Sequence, residues 1–585
     1  MKKNQFNFGF WALLALVFIY SGCNRFDSSP ETIRSAAQPA HQKVSSSVIG
    51  KVTDAAGKGL ENAVARLGTL TTQTDKDGFF FFENVQMTAP YSYVQVDYTG
   101  DLKGSRTFSV KAGHTQFVNI ELLPRTVRGS FAAANGGTVA FDGVSVSIPA
   151  NGVMLANGQA YNGLVKIVGQ YLSPDADNLD KIMPGALMAY NQGNEFGTLK
   201  TYGMAGIELE GQNGEALQVR TGSEATLEIS VAQSQLNDPL AQMPLWYFDE
   251  NTGYWKEEGV AVRSGNKFVG TVKHFTYWNC DFFTSNLVTV DILFEDAQGN
   301  PMSGKTIHVS SSVGASFGTT DNLGILSGLV PAGLTISLEA IAGCSFAATT
   351  PGSFGPVFTN TSVGPFVINP VNATSVLVSG SVLGCNNQPL ANGFVKISNG
   401  SLTDIVLVSN GNYNYTYNSC NNIQNGALSL TAFSSTTQTE GNANMLPVTS
   451  GNTYTGINLN ACQAGSEFVL LGTGNHRYNF IESIDLSTYN NANNLYLQAT
   501  NTQTITPLGN LAILVTKNAN GTYSCSTFLL NYNSTFYTFT TVTSVKVTHW
   551  PLYTGDYLDC NLKGTYGATP TAMQTFTLNV HAKKD

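Results

Sequence analysis

A short segment recurs three times along the chain, and this repeat constrains the fold more than any other feature. The first copy runs from Gly50 to Ala63, and its Asp54 has a counterpart in Asp296, 242 residues later. The other matches in the second copy are Gly299, Pro301, Met302 and Gly304. A third copy, offset by 330 residues, has the matches Gly380, Val382, Asn387, Pro389, Leu390 and Asn392. Each copy has the pattern of a strand, a tight turn whose Gly or Asn accepts a positive φ, and a second strand. We therefore expect several copies of one small antiparallel β-sandwich.

Length and composition agree with a series of β domains. A chain of 585 residues is long enough for roughly three to five separately cored units. Charged residues make up only 12% of the chain and aromatic residues 11%, with 58 Gly, which suits strands joined by turns better than long helices. Residues 462–585 lack the repeat but alternate β-branched and aromatic side chains, which predicts a further β domain. The predicted fold class is all-β, a string of antiparallel β-sandwich domains of transthyretin or immunoglobulin type.

The charge balance excludes one class of partner. The chain has 30 Lys and Arg against 39 Asp and Glu, a formal net charge of -9. It also has no basic run that would concentrate positive potential against a phosphate backbone. We therefore predict no nucleic-acid partner.

Residues 1–22 have the form of a signal peptide. Lys2 and Lys3 precede an apolar run from Phe8 to Tyr20, which is too short to cross a hydrocarbon layer about 30 Å thick as a helix. The small residues that lead into Cys23 resemble the lipobox at which bacterial lipoproteins are cleaved and lipid-modified. The resemblance implies that Cys23 is the lipid attachment site and that the membrane is a partner through this anchor. A plain secretory signal is the alternative.

The residues after the cysteine bear on location. Asn24 stands where an Asp would resemble an inner-membrane retention signal, so the resemblance implies the outer membrane and leaves its surface or periplasmic face open. Residues 23–46 have no apolar periodicity and are predicted to be a flexible tether. No later stretch is apolar enough to span a bilayer.

A second recurring turn makes the first repeat resemble a known family. The turn Thr74–Phe79 corresponds to Thr320–Ile325. With the segment described above, it makes residues 47–123 resemble a carboxypeptidase regulatory-like domain, a transthyretin-type β-sandwich. The resemblance implies an accessory domain with no zinc ligands and no catalytic residues. The other two copies predict β-sandwich repeats over 286–372 and 373–461.

Residues 127–285 are predicted to form a different β unit. This unit opens with Gly136-Gly137 and a strand leading to Ile148-Pro149, and it closes with the hairpin Leu245–Trp255 and the segment Gly270–Asp281. The combination resembles the ZU-type domain of netrin receptors and ankyrins. Together with the first repeat, over about 240 residues, it is similar to the extracellular segment of cartilage intermediate layer protein and to a set of bacterial surface lipoproteins. The resemblance implies a β-sandwich interaction module rather than an enzyme.

Seven cysteines remain besides the lipid-modified one. An exported chain permits disulfides, and an odd number leaves one thiol over. Cys525 with Cys560 is the first predicted bridge, because both lie in the last domain at a spacing that two adjacent strands could close. Cys385 with either Cys420 or Cys462 is the next. No two cysteines have the close spacing of a zinc cluster, and no histidine pair has the spacing of a zinc peptidase.

Two groups of side chains are candidate binding residues. Asp175, Asp177 and Asp180 offer hard oxygen ligands in one predicted loop, which could hold calcium. The pattern of a complete calcium loop is absent, so a solvated acid cluster is the alternative interpretation. No other cofactor is predicted.

The second group is aromatic. Trp246, Trp255 and Trp278 belong to the densest aromatic cluster of the chain. Aromatic side chains on an exposed sheet face could stack on a sugar ligand, whereas alternating aromatics in a sandwich usually belong to the core. The sequence leaves both interpretations open.

One string resembles a catalytic motif. Gly314–Gly318 reads Gly-Ala-Ser-Phe-Gly, the pattern of a nucleophile elbow, which works only where a strand turns sharply into a helix. Here the string is followed by a predicted turn inside the second repeat, so we interpret it as coincidence. Catalytic residues are accordingly not assigned, and the chain is predicted not to be an enzyme.

These observations favour a non-enzymatic, lipid-anchored protein of the cell envelope that acts as an adhesion, scaffold or ligand-presenting module. Its partner would be an envelope protein or a glycan. The alternative is a carbohydrate-binding surface lipoprotein that serves polysaccharide capture, for which the aromatic cluster is the motive. A hydrolase would need a site assembled across domains.

Overall fold

A computed structural model describes residues 41–584 apart from 239, 342–348, 369–373, 386–387, 400–401, 420–425, 438, 450, 463–467, 474–476, 481–482, 502–508, 533–534, 538, 552–556 and 568–572. The predicted signal segment and Cys23 lie outside these residues. Almost every element is a β-strand, and most strand pairs are antiparallel. The predicted all-β fold class, a string of β-sandwich domains, is confirmed. Within the described residues, no helix is both long enough and apolar enough to cross a membrane.

The first sandwich comprises β1 (Gln42–Thr53), β2 (Val64–Leu67), β3 (Leu70–Gln73), β4 (Phe79–Ala89), β5 (Tyr91–Asp97), β6 (Gly104–Ser109) and β7 (Thr115–Glu121). One sheet has the order β4-β1-β7 and the other β3-β2-β5-β6. Val48, Val52, Phe80 and Val94 fill the space between them. Gly50 is required on β1, because a Cβ there would lie 1.9 Å from the Phe80 ring.

The second unit comprises β8 (Val127–Ala132), β9 (Gly137–Phe141), β10 (Val144–Ile148), β11 (Val153–Leu155), β12 (Leu164–Leu172), α1 (Leu179–Ile182), β13 (Met188–Tyr190), β14 (Phe196–Glu210), β15 (Ala216–Val219), β16 (Ala225–Ser230), a 3-10 turn (Gln233–Gln235), β17 (Gln242–Asp249), β18 (Tyr254–Ser264), β19 (Lys267–Val272) and β20 (Tyr277–Thr284). Its strands form one 13-stranded sheet. The sheet folds over a large core that includes Val146, Ile207 and Trp278. A second, smaller core around Trp246 and Trp255 faces the first sandwich.

The third sandwich comprises β21 (Leu287–Glu295), β22 (Thr306–Ser311), β23 (Gly314–Thr319), β24 (Ile325–Pro331), β25 (Ile336–Ile341), β26 (Thr349–Phe354) and β27 (Thr361–Val367). Its sheets have the orders β24-β21-β27 and β23-β22-β25-β26. Ile292, Phe294, Ile307 and Leu338 form the centre of its core. The order of strands within each sheet matches that of the first sandwich, as the repeat predicts.

The fourth sandwich comprises β28 (Thr374–Leu383), β29 (Gly393–Asn399), β30 (Leu402–Leu407), β31 (Asn412–Ser419), β32 (Ala427–Ser434), β33 (Thr439–Glu440), β34 (Asn444–Pro447), β35 (Thr453–Tyr454) and β36 (Leu459–Asn460). One sheet places β28 between β31 and β35, with β36 also on β28, and the other has the order β30-β29-β32-β33, with β34 on β32. Val378, Val395 and Leu430 belong to its core.

The fifth unit comprises β37 (Phe468–Thr473), β38 (Arg477–Phe480), β39 (Ser483–Thr488), β40 (Asn494–Asn501), β41 (Gly509–Lys517), β42 (Tyr523–Tyr532), β43 (Thr535–Tyr537), β44 (Phe539–His549), β45 (Tyr557–Gly567) and β46 (Met573–Lys583). Two five-stranded sheets, β38-β37-β46-β45-β44 and β39-β40-β41-β42-β43, pack face to face. Leucine is the commonest side chain in the core between them.

The repeated turn has the predicted conformation in both copies where the structure describes it. Gly57 and Gly299 have φ angles of 77° and 82°, in the region that favours glycine. The side chain of Asp54 accepts hydrogen bonds from two backbone N–H groups of the turn, and Asp296 does the same. In the third copy, Asn387 lies outside the described residues.

The disulfides differ from the first prediction. Cys385 is bonded to Cys462, with their Cα atoms 5.0 Å apart, which joins the two ends of the fourth sandwich. Cys525 and Cys560 are not bonded to each other, so the predicted bridge between them is wrong. They lie on β42 and β45, which belong to facing sheets rather than to adjacent strands, and facing sheets are about 10 Å apart. Cys420 lies outside the described residues.

Candidate functional site

The first sandwich contacts three other units, and the contacts around it form the candidate site. Towards the second unit, it receives the tip of the predicted hairpin. The backbone carbonyl of Glu250 accepts a hydrogen bond from Gln95 at 2.8 Å, and the Glu250 carboxylate lies 2.8 Å from Lys103 Nζ. Gly253 lies flat on the ring of Tyr93, where a Cβ would approach within 2.5 Å. Glu250 at the tip of this hairpin therefore docks the second unit onto the first sandwich.

Polar contacts join the first sandwich to the third. His114 Nδ1 lies 2.6 Å from Asp321 Oδ2, and the Asp321 side chain is 1% exposed. Thr115 and Asn322 exchange two hydrogen bonds, from Thr115 N–H to Asn322 Oδ1 at 2.8 Å and from Asn322 N–H to the Thr115 carbonyl at 3.0 Å. A salt bridge from Lys111 to the third sandwich lies beside them, at 2.7 Å. These contacts are hydrogen bonds and ion pairs, so they form only when the two sandwiches have one particular orientation.

The contact with the fourth sandwich is aromatic at its centre. The ring of Phe81 lies 4.7 Å from that of Phe394 and 4.9 Å from that of Phe433, measured between centroids. Ile49 and Phe79 complete this buried cluster. Burial of several rings between two units is the arrangement expected of a permanent interface rather than of a transient one.

A buried lysine lies at the edge of this aromatic cluster. Lys396 Nζ lies 2.8 Å from Asp75, 2.6 Å from Asp77 and 3.5 Å from Glu440, and its side chain is 3% exposed. Burial acts to lower the pKa of Lys396, but the carboxylates of Asp75 and Glu440 outweigh it and raise that pKa. The three carboxylates are close enough together to hold a metal ion, but the ammonium group of Lys396 already binds them.

A cavity of about 190 Å³ lies where the first three units meet. Arg106 of β6 is one of its lining residues. Arg106 Nη1 donates a hydrogen bond to the carbonyl of Gly185 at 3.1 Å, and Nη2 donates to the carbonyl of Asp180. The other walls are mainly apolar and come from all three units: Phe108, Met183, Leu187, Val290, Val309 and Leu329.

The tryptophans predicted as ligand-stacking residues do not form a surface. Trp246, Trp255 and Trp278 are each 0% exposed. The indole N–H of Trp246 donates to the carbonyl of Asp281 at 3.2 Å, and that of Trp278 donates to the carbonyl of His274 at 3.0 Å. The stacking interpretation is wrong, because these side chains lie on the inward faces of their strands. Trp246 and Trp255 belong to the smaller core of the second unit and Trp278 to the larger one.

The predicted calcium ligands are not brought together. In the described part of the chain, the only group of three side-chain ligands close enough for one ion excludes Asp175, Asp177 and Asp180. Asp175 accepts hydrogen bonds from Ser234, and Asp180 contacts Arg106 through its backbone carbonyl. The loop spreads the three carboxylates apart, so calcium binding by this set is not supported.

The string with the nucleophile pattern is a plain strand. Ser316 lies within β23, which ends at Thr319 and is followed by the turn at Asp321 rather than by a helix. The interpretation as coincidence agrees with this geometry.

Sequence reasoning missed the charged residues that hold the units together or lie inside one of them. Arg106, Lys396 and Asp281 follow no motif, and only Asp321 had a signal, because it repeats Asp75 in the recurring turn. Asp281 is 0% exposed. Burial raises the pKa of its carboxyl well above the ordinary value, although Asn279 donates a hydrogen bond to it. It is a structural acid inside the second unit.

Comparison with known proteins gives limited similarity in sequence. No protein-family model matches the chain. Cartilage intermediate layer protein 2 of Homo sapiens is 29% identical over 121 residues, which is 20% of this chain and 10% of that protein. The chain thus matches only a tenth of the length of this curated relative.

Solved structures show only partial overlap. The Bacillus anthracis TIE protein is 11% identical, with 56% of this chain and 51% of that chain covered, at a TM-score of 0.13. The Streptococcal ancillary pilin is 12% identical, with 38% and 93% covered, at a TM-score of 0.13. BcpA, the major pilin subunit of Bacillus cereus, is 10% identical, with 55% and 99% covered, at a TM-score of 0.11.

Proposed function

We propose that this chain is a non-enzymatic scaffold of the cell envelope, anchored by lipid at Cys23 and carrying β modules in a fixed arrangement. The observation that carries the proposal is the junction around the first sandwich. Three neighbouring units contact it through a docked hairpin, a directional polar interface and a buried aromatic cluster. A chain of freely jointed modules would not need such contacts, since flexible linkers alone would connect it.

The similarity to cartilage intermediate layer protein 2 supports the same class of function. It covers 121 residues of this chain, and the name of the relative describes a protein of a layer in cartilage. Adhesion or assembly with an envelope partner is the role that we propose for the exposed sheets. The observation that suggested the glycan-binding alternative no longer supports it, because the three tryptophans are buried.

Protease shaving of intact cells tests the proposal, with epitope tags in the third and fifth units. We expect the wild-type chain to sediment with the outer membrane and the Cys23→Ala variant to be released into the soluble fraction. Cys525→Ser is the matched control, because it removes a thiol that is not in a disulfide and should leave fractionation unchanged.

The result also gives the face of the membrane. Cleavage of both tags while the cells remain sealed would place the scaffold outside and favour adhesion. Protection until the outer membrane is broken would place it in the periplasm and direct the search to envelope machinery. Equal sedimentation of wild type and Cys23→Ala would contradict lipid anchoring.

A further inference from the structure

The cavity between the first three units is lined by a half-buried cation, Arg106, that has no direct ion pair. Arg106 donates to the backbone carbonyls of Gly185 and Asp180, and more weakly to that of Asn119 at 3.5 Å. Within the described part of the chain, no carboxylate oxygen lies within 4.0 Å of its guanidinium group. Carbonyl groups satisfy N–H donors but do not neutralise the charge. Asp180 also lines the cavity; its backbone carbonyl accepts from the arginine, and its carboxylate acts on Arg106 at longer range without a direct ion pair.

The charge persists at neutral pH. Burial lowers the pKa of Arg106 to about 10, so the guanidinium stays protonated in any physiological buffer. A second cation of the wall, Lys200, is already paired with Asp238 at 3.1 Å. Arg106 is therefore the side chain available for an anion, and beside mainly apolar walls its attraction for one is stronger than in bulk solvent.

The rest of the wall sets the shape and polarity of a ligand. Phe108, Leu187 and Val290 are among the buried apolar residues that line the cavity. Its volume is about 190 Å³, and an apolar cavity of about 150 Å³ is large enough to bind benzene. One aromatic ring or a short alkyl chain would fit beside the guanidinium.

We propose that this cavity binds a small organic anion, a carboxylate whose apolar body is the size of one aromatic ring. Contacts between units are common places for such sites, in which apolar walls surround a few fixed polar groups. The guanidinium would bind the carboxylate through an N–H group that the backbone carbonyls leave over, and the apolar walls would cover the ring. The site goes beyond the proposed scaffold function and does not depend on where the chain is anchored.

Isothermal titration of the purified full-length chain with 3-phenylpropionate tests this inference. We expect saturable binding of the acid. Its neutral analogue 3-phenylpropanol should bind roughly tenfold more weakly or worse, because its hydroxyl carries no negative charge to pair with the guanidinium. This comparison needs no variant. No binding of the acid, or equal affinity for the alcohol, would overturn the proposal.

Variants then assign the binding to this cavity. Arg106→Gln should weaken binding of the acid by about tenfold or more and leave the alcohol unaffected. Val309→Trp should fill the cavity and abolish binding of both compounds. Val260→Trp is the matched control, because Val260 is 50% exposed on β18 and does not line the cavity.

Arg106 also helps to hold the second unit, so its substitution could loosen the junction. The thermal unfolding midpoint of each variant is therefore measured in parallel. If Arg106→Gln unfolds at a lower temperature than the wild type, the result for Val309→Trp is used to test the site. Binding of the acid to Val309→Trp with wild-type affinity would place the ligand elsewhere and overturn the proposed site.

Discussion

Asp75 and Asp321 occupy the same position in corresponding turns of the first and third sandwiches, and each of them binds a basic side chain from another unit. In both turns Oδ1 accepts hydrogen bonds from two backbone N–H groups, at 2.9 Å each. The remaining oxygen, Oδ2, meets Lys396 in one case and His114 in the other. One carboxylate thus shapes its own turn and fastens that turn to a neighbouring unit.

Replacing Lys396 with methionine should open the contact between the first and fourth sandwiches. Asp75, Asp77 and Glu440 would then lose the one ammonium group that binds all three, and Lys76 would remain only at Asp77 and Glu440. Since these carboxylates keep partial contact with water, we expect a loss of about 2 kcal/mol. Hydrogen exchange at the backbone amides of Asp77 and Phe79 measures this loss of stability, because both N–H groups donate to the Asp75 side chain. Lys58→Met, at an exposed lysine, is the control and should leave exchange unchanged.

Phe81→Ala should separate the same two units more completely. The side chain is 6% exposed and packs between two rings of the fourth sandwich, so its truncation should cost about 3–5 kcal/mol. Small-angle scattering should show a larger radius of gyration than for the wild type. The comparison variant is Phe358→Ala, whose ring is 73% exposed. An unchanged scattering profile for Phe81→Ala would show that this cluster does not hold the units together.

Asp281→Asn should stabilise the second unit at neutral pH. The folded state raises the pKa of this carboxyl, so the unfolded chain loses its proton at a lower pH than the folded chain does. Stability therefore falls as the pH rises above the ordinary carboxyl range, and an amide of the same shape avoids that loss. Urea unfolding at pH 7 and pH 4 tests this. The gain should be present at pH 7 and shrink towards pH 4, and an equal gain at both values would contradict it.

Reduction of the Cys385–Cys462 bond should destabilise the fourth sandwich selectively. The bond closes a loop with a sequence separation of 77 residues, for which chain entropy predicts about 4 kcal/mol. Calorimetry with and without reductant should show one transition shifted to lower temperature. The Cys462→Ser variant should already unfold at that lower temperature without reductant. Cys525→Ser should keep the wild-type response, since Cys525 is a thiol.

Local patterns predicted the strands and turns, but not the packing of one unit on another. The glycine at position 57 and its counterpart at 299 identify a turn, because few other residues accept their φ angles. Nothing local connects Lys396 to Asp75, which is 321 residues away. Their contact depends on how two complete sandwiches meet, and a repeat within each sandwich carries no information about that.

The same limit explains the wrong predictions about the site. Trp246 alternates with its neighbours along β17, but alternation does not tell which face of the sheet is buried. Cys525 and Cys560 share a core, yet their bonding depends on the pairing of strands that are distant in sequence. Arg106 gave no signal, because its role comes from a cavity to which three units contribute walls.

The parallel pairing of β1 with β7 has a mechanical consequence. Seven residue pairs, from Ser47 with Thr115 to Thr53 with Glu121, join the strand that opens the first sandwich to the strand that closes it. The incoming and outgoing chain leave this pair at opposite ends, so tension along the polypeptide pulls the two strands lengthwise past each other. The hydrogen bonds between the two strands then resist this shearing force together instead of breaking one by one. The third sandwich repeats the arrangement with β21 and β27, which makes both modules suited to bearing load in series.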